Sequence, residues 1–172
     1  MEFYPLITVL LLGAIVTFGM YLTITTVSAK IFEKQKWDLR SKSTEIILPL
    51  RLQAYERMCL FLERITPGNL LLRTITSTEN AQELQSLLLH EIREEYNHNL
   101  AQQIYMSSDA WEQVANAMNE IVAIINQASG VIAPEAPSKD LAKTILSQVI
   151  EKEVQPSTHA LKFLKNEIQT LF

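Results

Sequence analysis

The chain is 172 residues long with a formal net charge of −4 and a sequence pI near 5.4, which leaves room for one modest domain and no basic surplus to meet a phosphate backbone. Nucleic acid is therefore excluded as the main partner. Cys59 is the only cysteine, which rules out an internal disulfide and any cysteine-based zinc pattern and fits a reducing compartment.

From Phe3 to Ala29 the sequence FYPLITVLLLGAIVTFGMYLTITTVSA carries no charge. About 20 apolar residues suffice to cross a bilayer core, so this stretch predicts a transmembrane helix. Pro5 falls where a first helical turn tolerates proline, and Thr23, Thr25, Thr26 and Ser28 make the far end more polar, so the embedded part should finish between Tyr21 and Val27. Val27-Ser28-Ala29 offers a signal-peptidase-like ending. Yet no Lys or Arg precedes the apolar run, and the run is longer than a signal peptide's apolar region of roughly 7–15 residues. Gly13 and Gly19 are six apart and miss the small-x-x-x-small spacing of helix pairing.

Lys30, Lys34, Lys36, Arg40 and Lys42 all follow the span, whereas only Glu2 and the amino terminus precede it. The positive-inside rule then puts the N-terminus outside and the remaining chain in the cytoplasm, as in a bacterial inner membrane. Glu33, Asp38 and Glu45 reduce the net charge of residues 30–45 to +2, too little for a strong polybasic lipid site. Trp37 suits either the headgroup level or a buried helix contact.

Beyond the anchor the apolar periodicity is helical throughout, so the expected fold class is all-α: an N-terminal transmembrane helix followed by a small cytoplasmic helical bundle. Ala54, Tyr55, Met58, Phe61, Leu62 and Ile65 form one stripe, which Thr66-Pro67-Gly68-Asn69 ends. Leu70-Leu71-Leu72 fits a short buried helix or an extended connector. A longer helix starts at Asn80, with Glu83 in the capping-box position, and runs to about Met106. Ser107-Ser108-Asp109 supplies the next cap, with Glu112 three residues after Asp109. Trp111, Val114, Ala115, Met118, Ile121, Val122 and Ile125 follow as an apolar face that lasts until Gly130. So short a turn makes these two helices antiparallel neighbours.

GVIAPEAPS reads as a linker. Two shorter helices follow it, one lined by Leu141, Ile145 and Val149, the other by Leu161, Leu164, Ile168 and Leu171, with Gln155-Pro156-Ser157 as break and cap between them. The expected organisation is anchor 1–29, juxtamembrane segment 30–47, core helical domain 48–129, Pro-containing linker 130–138 and C-terminal helical hairpin 139–172. The apolar faces of the hairpin must dock on the bundle or on a neighbouring subunit.

The stretch HEIREEYNHN, residues 90 to 99, is the one place that resembles chemistry. At roughly 100° per residue, Glu91, Glu95 and His98 share a helix face with Gln102, so they are the candidate metal ligands. Glu95 and His98 have the Glu-x-x-His spacing of di-iron bundles. A second such pair is missing, and Glu94 stands where the zincin pattern needs histidine. The competing expectation is a solvated face, with one carboxylate partly covered beside Leu88 or Ile92 and paired with an arginine. Cys59, among Met58, Leu60 and Phe61, reads as a core thiol. With four glycines and no nucleophile-elbow context the chain offers no phosphate cradle, cofactor motif or catalytic serine.

The stretches LPLRLQAYERMCLFLERITPGNLLLR, residues 48 to 73, and EIREEYNHNLAQQIYMSSDAWEQV, residues 91 to 114, resemble an uncharacterised bacterial family of small, single-pass, membrane-anchored helical proteins. The resemblance covers roughly residues 1 to 130 and implies anchor plus helices, with no assigned activity and no catalytic residues to transfer. The expected function is a membrane-tethered helical interaction module that contacts the lipid bilayer through residues 3–29, binds an unknown protein partner or itself as a homo-oligomer, and uses no cofactor. The alternative is a metal-binding or metal-dependent protein built on Glu91, Glu95 and His98.

Overall fold

The computed structural model describes residues 3–151 and 155–170. Among them the chain is all-α, and the one extended feature is an isolated antiparallel bridge between Asn80 and Pro137. Helix α1 (Phe3–Ile65) runs through the stretches expected as anchor and juxtamembrane segment and on through the first core stripe. Nothing stops it earlier, because no glycine or proline occurs between Gly19 and Pro49. Pro49 removes one backbone donor, and the chain divides there into two compact units, Met1–Leu48 and Pro49–Phe172.

In the first unit, Ile15–Lys34 is long and apolar enough to cross a membrane, with a mean hydropathy of 1.4 and none of it buried. Its described apolar side chains face outward, among them Val16, Phe18, Tyr21, Ile24 and Val27. The threonine hydroxyls turn back onto the helix: Thr17 donates to the Gly13 carbonyl at 2.9 Å, Thr25 to Leu22 at 3.0 Å and Thr26 to Leu22 at 2.9 Å. Back-bonding leaves these threonine hydroxyls in no need of water. Lys30 and Lys34 are exposed. The side chains of Pro5, Lys36, Trp37, Asp38, Arg40 and Lys42 lie outside the described residues, as does Leu171.

The second unit begins with the last turns of α1, whose expected stripe is buried in full: Ala54, Tyr55, Met58, Phe61, Leu62 and Ile65. Thr66 breaks the helix with ψ 128°, the extended value that a following proline enforces, and Pro67 opens α2 (Pro67–Thr74) at its first position. The Leu70-Leu71-Leu72 run is thus helical, with Leu70 and Leu71 inside and Leu72 out. A short 3-10 turn, Ile75–Ser77, leads to α3 (Ala81–Asn99).

Three open donors at the start of α3, the N–H groups of Ala81, Gln82 and Glu83, are met. The Asn80 side chain accepts from the Glu83 N–H at 2.9 Å, and its carbonyl accepts from the Leu84 N–H. The N–H groups of Ala81 and Gln82 donate to the carbonyls of Ala136 and Pro134 in the linker, at 2.8 and 3.1 Å. Glu83 completes the box by accepting from the Glu79 N–H, one residue before the cap. The proline-containing connection is therefore also the lid on a helix end.

Helix α3 stops at Asn99, earlier than expected, and continues as a 3-10 segment, Leu100–Tyr105. Asn99 is buried and its amide donates to the Glu95 carbonyl at 2.8 Å, a competing bond that lets the helix tighten. Helix α4 (Ser108–Ser129) is capped by Ser107, whose hydroxyl accepts from the Ala110 N–H at 3.0 Å, so Asp109 lies inside the first turn and is not the cap.

Helices α3, α5 (Ser138–Glu151) and α6 (Pro156–Gln169) all pack on α4, and this surrounding widens its buried face to Ala110, Ala117, Ile124 and Ala128 beside Val114, Ile121 and Ile125. Trp111, Met118 and Val122 sit at the edge of that face. The C-terminal pair thus docks within its own chain, through Leu141, Ala142, Ile145, Ala160, Leu161 and Leu164. Ser157 does not cap α6; it is buried and shares a 3.0 Å hydrogen bond with Thr66.

Candidate functional site

The HEIREEYNHN stretch forms the second half of α3, and three sides of that helix have different fates. Leu88 and Ile92 enter the core. Tyr96 stands between two aromatic rings, 5.9 Å from Phe61 of α1 and 5.5 Å from Trp111 of α4, centroid to centroid. Burial pushes its phenol above the ordinary 10.0. His90, Arg93, Glu94 and Asn97 face solvent.

The carboxylates of Glu91 and Glu95 lie on the third side, where α3 meets α1 and α2. Glu95 pairs with Arg64 of α1 at 3.0 Å, and Glu91 with Arg73 of α2 at 3.5 Å. Both pairs are partly solvated, so each contributes about 0–1 kcal/mol and chiefly fixes the register of three helices. His98 is exposed and lines a recess of about 420 Å³ with Arg57, Leu60, Arg64, Glu95 and Asn99. Gln102 leaves the expected arc, because the 3-10 segment turns the chain faster than an α-helix. Among the described residues no group of three or more His, Cys, Asp or Glu side chains stands close enough to hold a metal ion. The sequence spacing put three candidate ligands, two carboxylates and one imidazole, on one face; the fold pairs both carboxylates with arginines.

A second recess, about 360 Å³, adjoins the first through Leu60 and Arg64 and is closed by Asn69, Leu72 and Arg73. Leu60 and Leu72 are 56% and 79% exposed, so apolar surface lies open between charged rims. Cys59, half-buried on the flank of α1, has its thiol pushed above the ordinary 9.0 by burial, which keeps it protonated and unreactive near neutral pH.

A polar cluster that the sequence does not announce joins α1, α4 and α6. Glu167 accepts from the Tyr55 hydroxyl at 2.6 Å with one oxygen and from Ser107 at 2.8 Å with the other. Tyr55 is buried, and burial first, then Glu167, raise its phenol above 10.0. Ser107 also accepts at the cap of α4, so each polar side-chain oxygen of the cluster has a partner and the cluster is structural. Only the Ser107 cap carried a sequence signal; the partners at positions 55 and 167 meet through the fold alone.

The chain matches the family described as "Family of unknown function (DUF7935)" over residues 1–171, which extends past the expected limit near residue 130. No match was found among curated proteins or among solved structures. The chain belongs to that family.

Proposed function

We propose that this member of a family of unknown function is a membrane-tethered helical interaction module. Residues 3–29 anchor it in a membrane, the inner membrane of a bacterium, with the N-terminus outside. The Pro49–Phe172 unit stands in the cytoplasm and binds a protein partner or further copies of itself, without catalysis. The observation that carries this reading is the uncharged, largely apolar and exposed surface of α1 from Ile15 to Val27, with threonine hydroxyls bonded to their own helix. Such a surface is at rest in hydrocarbon and costly in water. Pairing of Glu91 and Glu95 with arginines supports a structural role for both carboxylates.

Carbonate washing of membranes should leave the chain in the pellet, and a reporter fused at Phe172 should be active only when it is a cytoplasmic reporter. Release of the chain by the wash, or activity of a reporter that works only outside the cytoplasm, refutes the corresponding half of the reading. Stoichiometric iron, manganese or zinc in the purified protein, lost in His98→Ala, would replace it with a metal-dependent one.

A further inference from the structure

The outward side of α1 in the second unit has a charge pattern that its own chain does not use up. Opposite the buried stripe, Gln53 and Leu60 lie one above the other, within roughly 20° on the helix, and both are exposed. Glu56 and Glu63 stand roughly 50° to one side, Arg57 and Arg64 roughly 50° to the other. All six are exposed; Arg64 remains 52% exposed although its Nε meets Glu95, and Arg57 makes no ion pair among the described residues. The acid and base positions repeat at seven residues, the interval at which one helix meets a partner helix along a seam.

Two copies of this helix related by a twofold parallel to it bring the acidic flank of each against the basic flank of the other, on both sides of a Gln53/Leu60 seam. An antiparallel pairing instead sets Glu against Glu and Arg against Arg. The pattern therefore selects the parallel arrangement, which also leaves both Pro49 ends at the same end of the pair. We infer that the Gln53–Arg64 face of α1 is a self-recognition surface, on which a second copy of this chain docks its own α1 in parallel. Fewer than two heptads, with a polar Gln53 in the seam, are too few to hold a dimer in free solution, and confinement to a membrane supplies the missing effective concentration. The partner left open above is thus a second copy, and this inference rests on that tethered-module reading.

The test uses the full-length chain in the membranes that express it. With Cys59→Ala as background, Leu60→Cys should oxidise to a disulfide-linked dimer about tenfold more readily than Ile150→Cys, an exposed position on α5. Glu56→Lys/Glu63→Lys makes both flanks basic, and Arg57→Glu/Arg64→Glu makes both acidic. Each population alone should lose the Leu60→Cys crosslink by about tenfold, and co-expression of the two, differently tagged, should restore it between unlike tags. Crosslinking at Leu60→Cys no better than at Ile150→Cys, recoded chains that pair as well alone as mixed, or a Leu60→Cys adduct to a different protein would each overturn the inference. Carbonate extraction of the same membranes separates the failures: an anchored chain without the dimer sinks self-pairing alone, whereas a washed-out chain sinks the tether with it.

Discussion

Replacing Glu167 tests how the C-terminal helix is held. Its carboxylate receives the Tyr55 and Ser107 hydroxyls at 2.6 and 2.8 Å, bridging the last turn of α6 to α1 and to the start of α4. Glu167→Ala removes both acceptors. Ser107 is half-buried and can turn its hydroxyl to water, but Tyr55 is only 2% exposed, so its O–H is left without its acceptor. A lost bond to a charged group and an unsatisfied buried donor together cost about 2–4 kcal/mol. Glu167→Gln keeps the shape and one acceptor, and its amide nitrogen can donate to either hydroxyl oxygen, so about 1 kcal/mol should be lost. Tyr55→Phe removes donor and need together and should cost about 1 kcal/mol.

Denaturant unfolding of the full chain in detergent micelles, followed by Trp111 fluorescence in a Trp37→Phe background, reads these differences. The cycle of Tyr55→Phe with Glu167→Ala should give a coupling of about 1–2 kcal/mol. A coupling indistinguishable from zero, with Glu167→Ala as stable as the parent, would mean the cluster is a surface contact and the account of α6 docking is wrong.

Met58→Asp and Val114→Asp each put a charge at a site with no solvent exposure, and either should cost more than about 4 kcal/mol and abolish a cooperative melt by circular dichroism. Asn80→Ala and Ser107→Ala should each lose about 1 kcal/mol, whereas Asp109→Ala, inside the first turn of α4, should lose well under that in the same denaturation assay. Tyr55, Cys59 and Tyr96 all have folded-state values raised above their ordinary ones, so the native state favours their neutral forms. Their contribution is complete below the unfolded-chain values of 9.0 for the thiol and 10.0 for the phenols and falls away as pH rises through the higher folded values. Melting temperature should therefore drop above about pH 9, and the triple variant Tyr55→Phe/Cys59→Ala/Tyr96→Phe should flatten that limb; an unchanged limb would assign it to other groups.

What was legible in the sequence depended on how local its cause was. The α1 stripe from Ala54 to Ile65 follows from periodicity, and the Asn80 cap from residue type and position, because a helix face and its first turn are decided within a few residues. The stop of α3 at Asn99 was not legible. It depends on a buried amide that turns back to the Glu95 carbonyl, and burial of that side chain is a property of the assembled bundle. The same holds for α4, where the periodic stripe found the centre of the core face but not its width, since α3, α5 and α6 cover it together.

The candidate site failed to be legible for a related reason. Spacing along α3 correctly placed Glu91 and Glu95 together on one side of the helix, but a shared side is compatible with solvent, a metal ion or a neighbour's cation. Which one applies is decided by what faces it, and Arg64 and Arg73 arrive from α1 and α2. The Pro-bounded geometry of α2 is what delivers the second arginine: Thr66 and Pro67 turn the chain after α1, and Arg73 then falls in the last turn, opposite Glu91. With both carboxylates engaged in this way, removal of either arginine should loosen the α1–α3 and α2–α3 contacts by no more than about 1 kcal/mol, since the partners can still be solvated. The pairs therefore select the register of the helices more than they stabilise it, and the open leucines beside them, Leu60 and Leu72, remain the part of this face that water serves least.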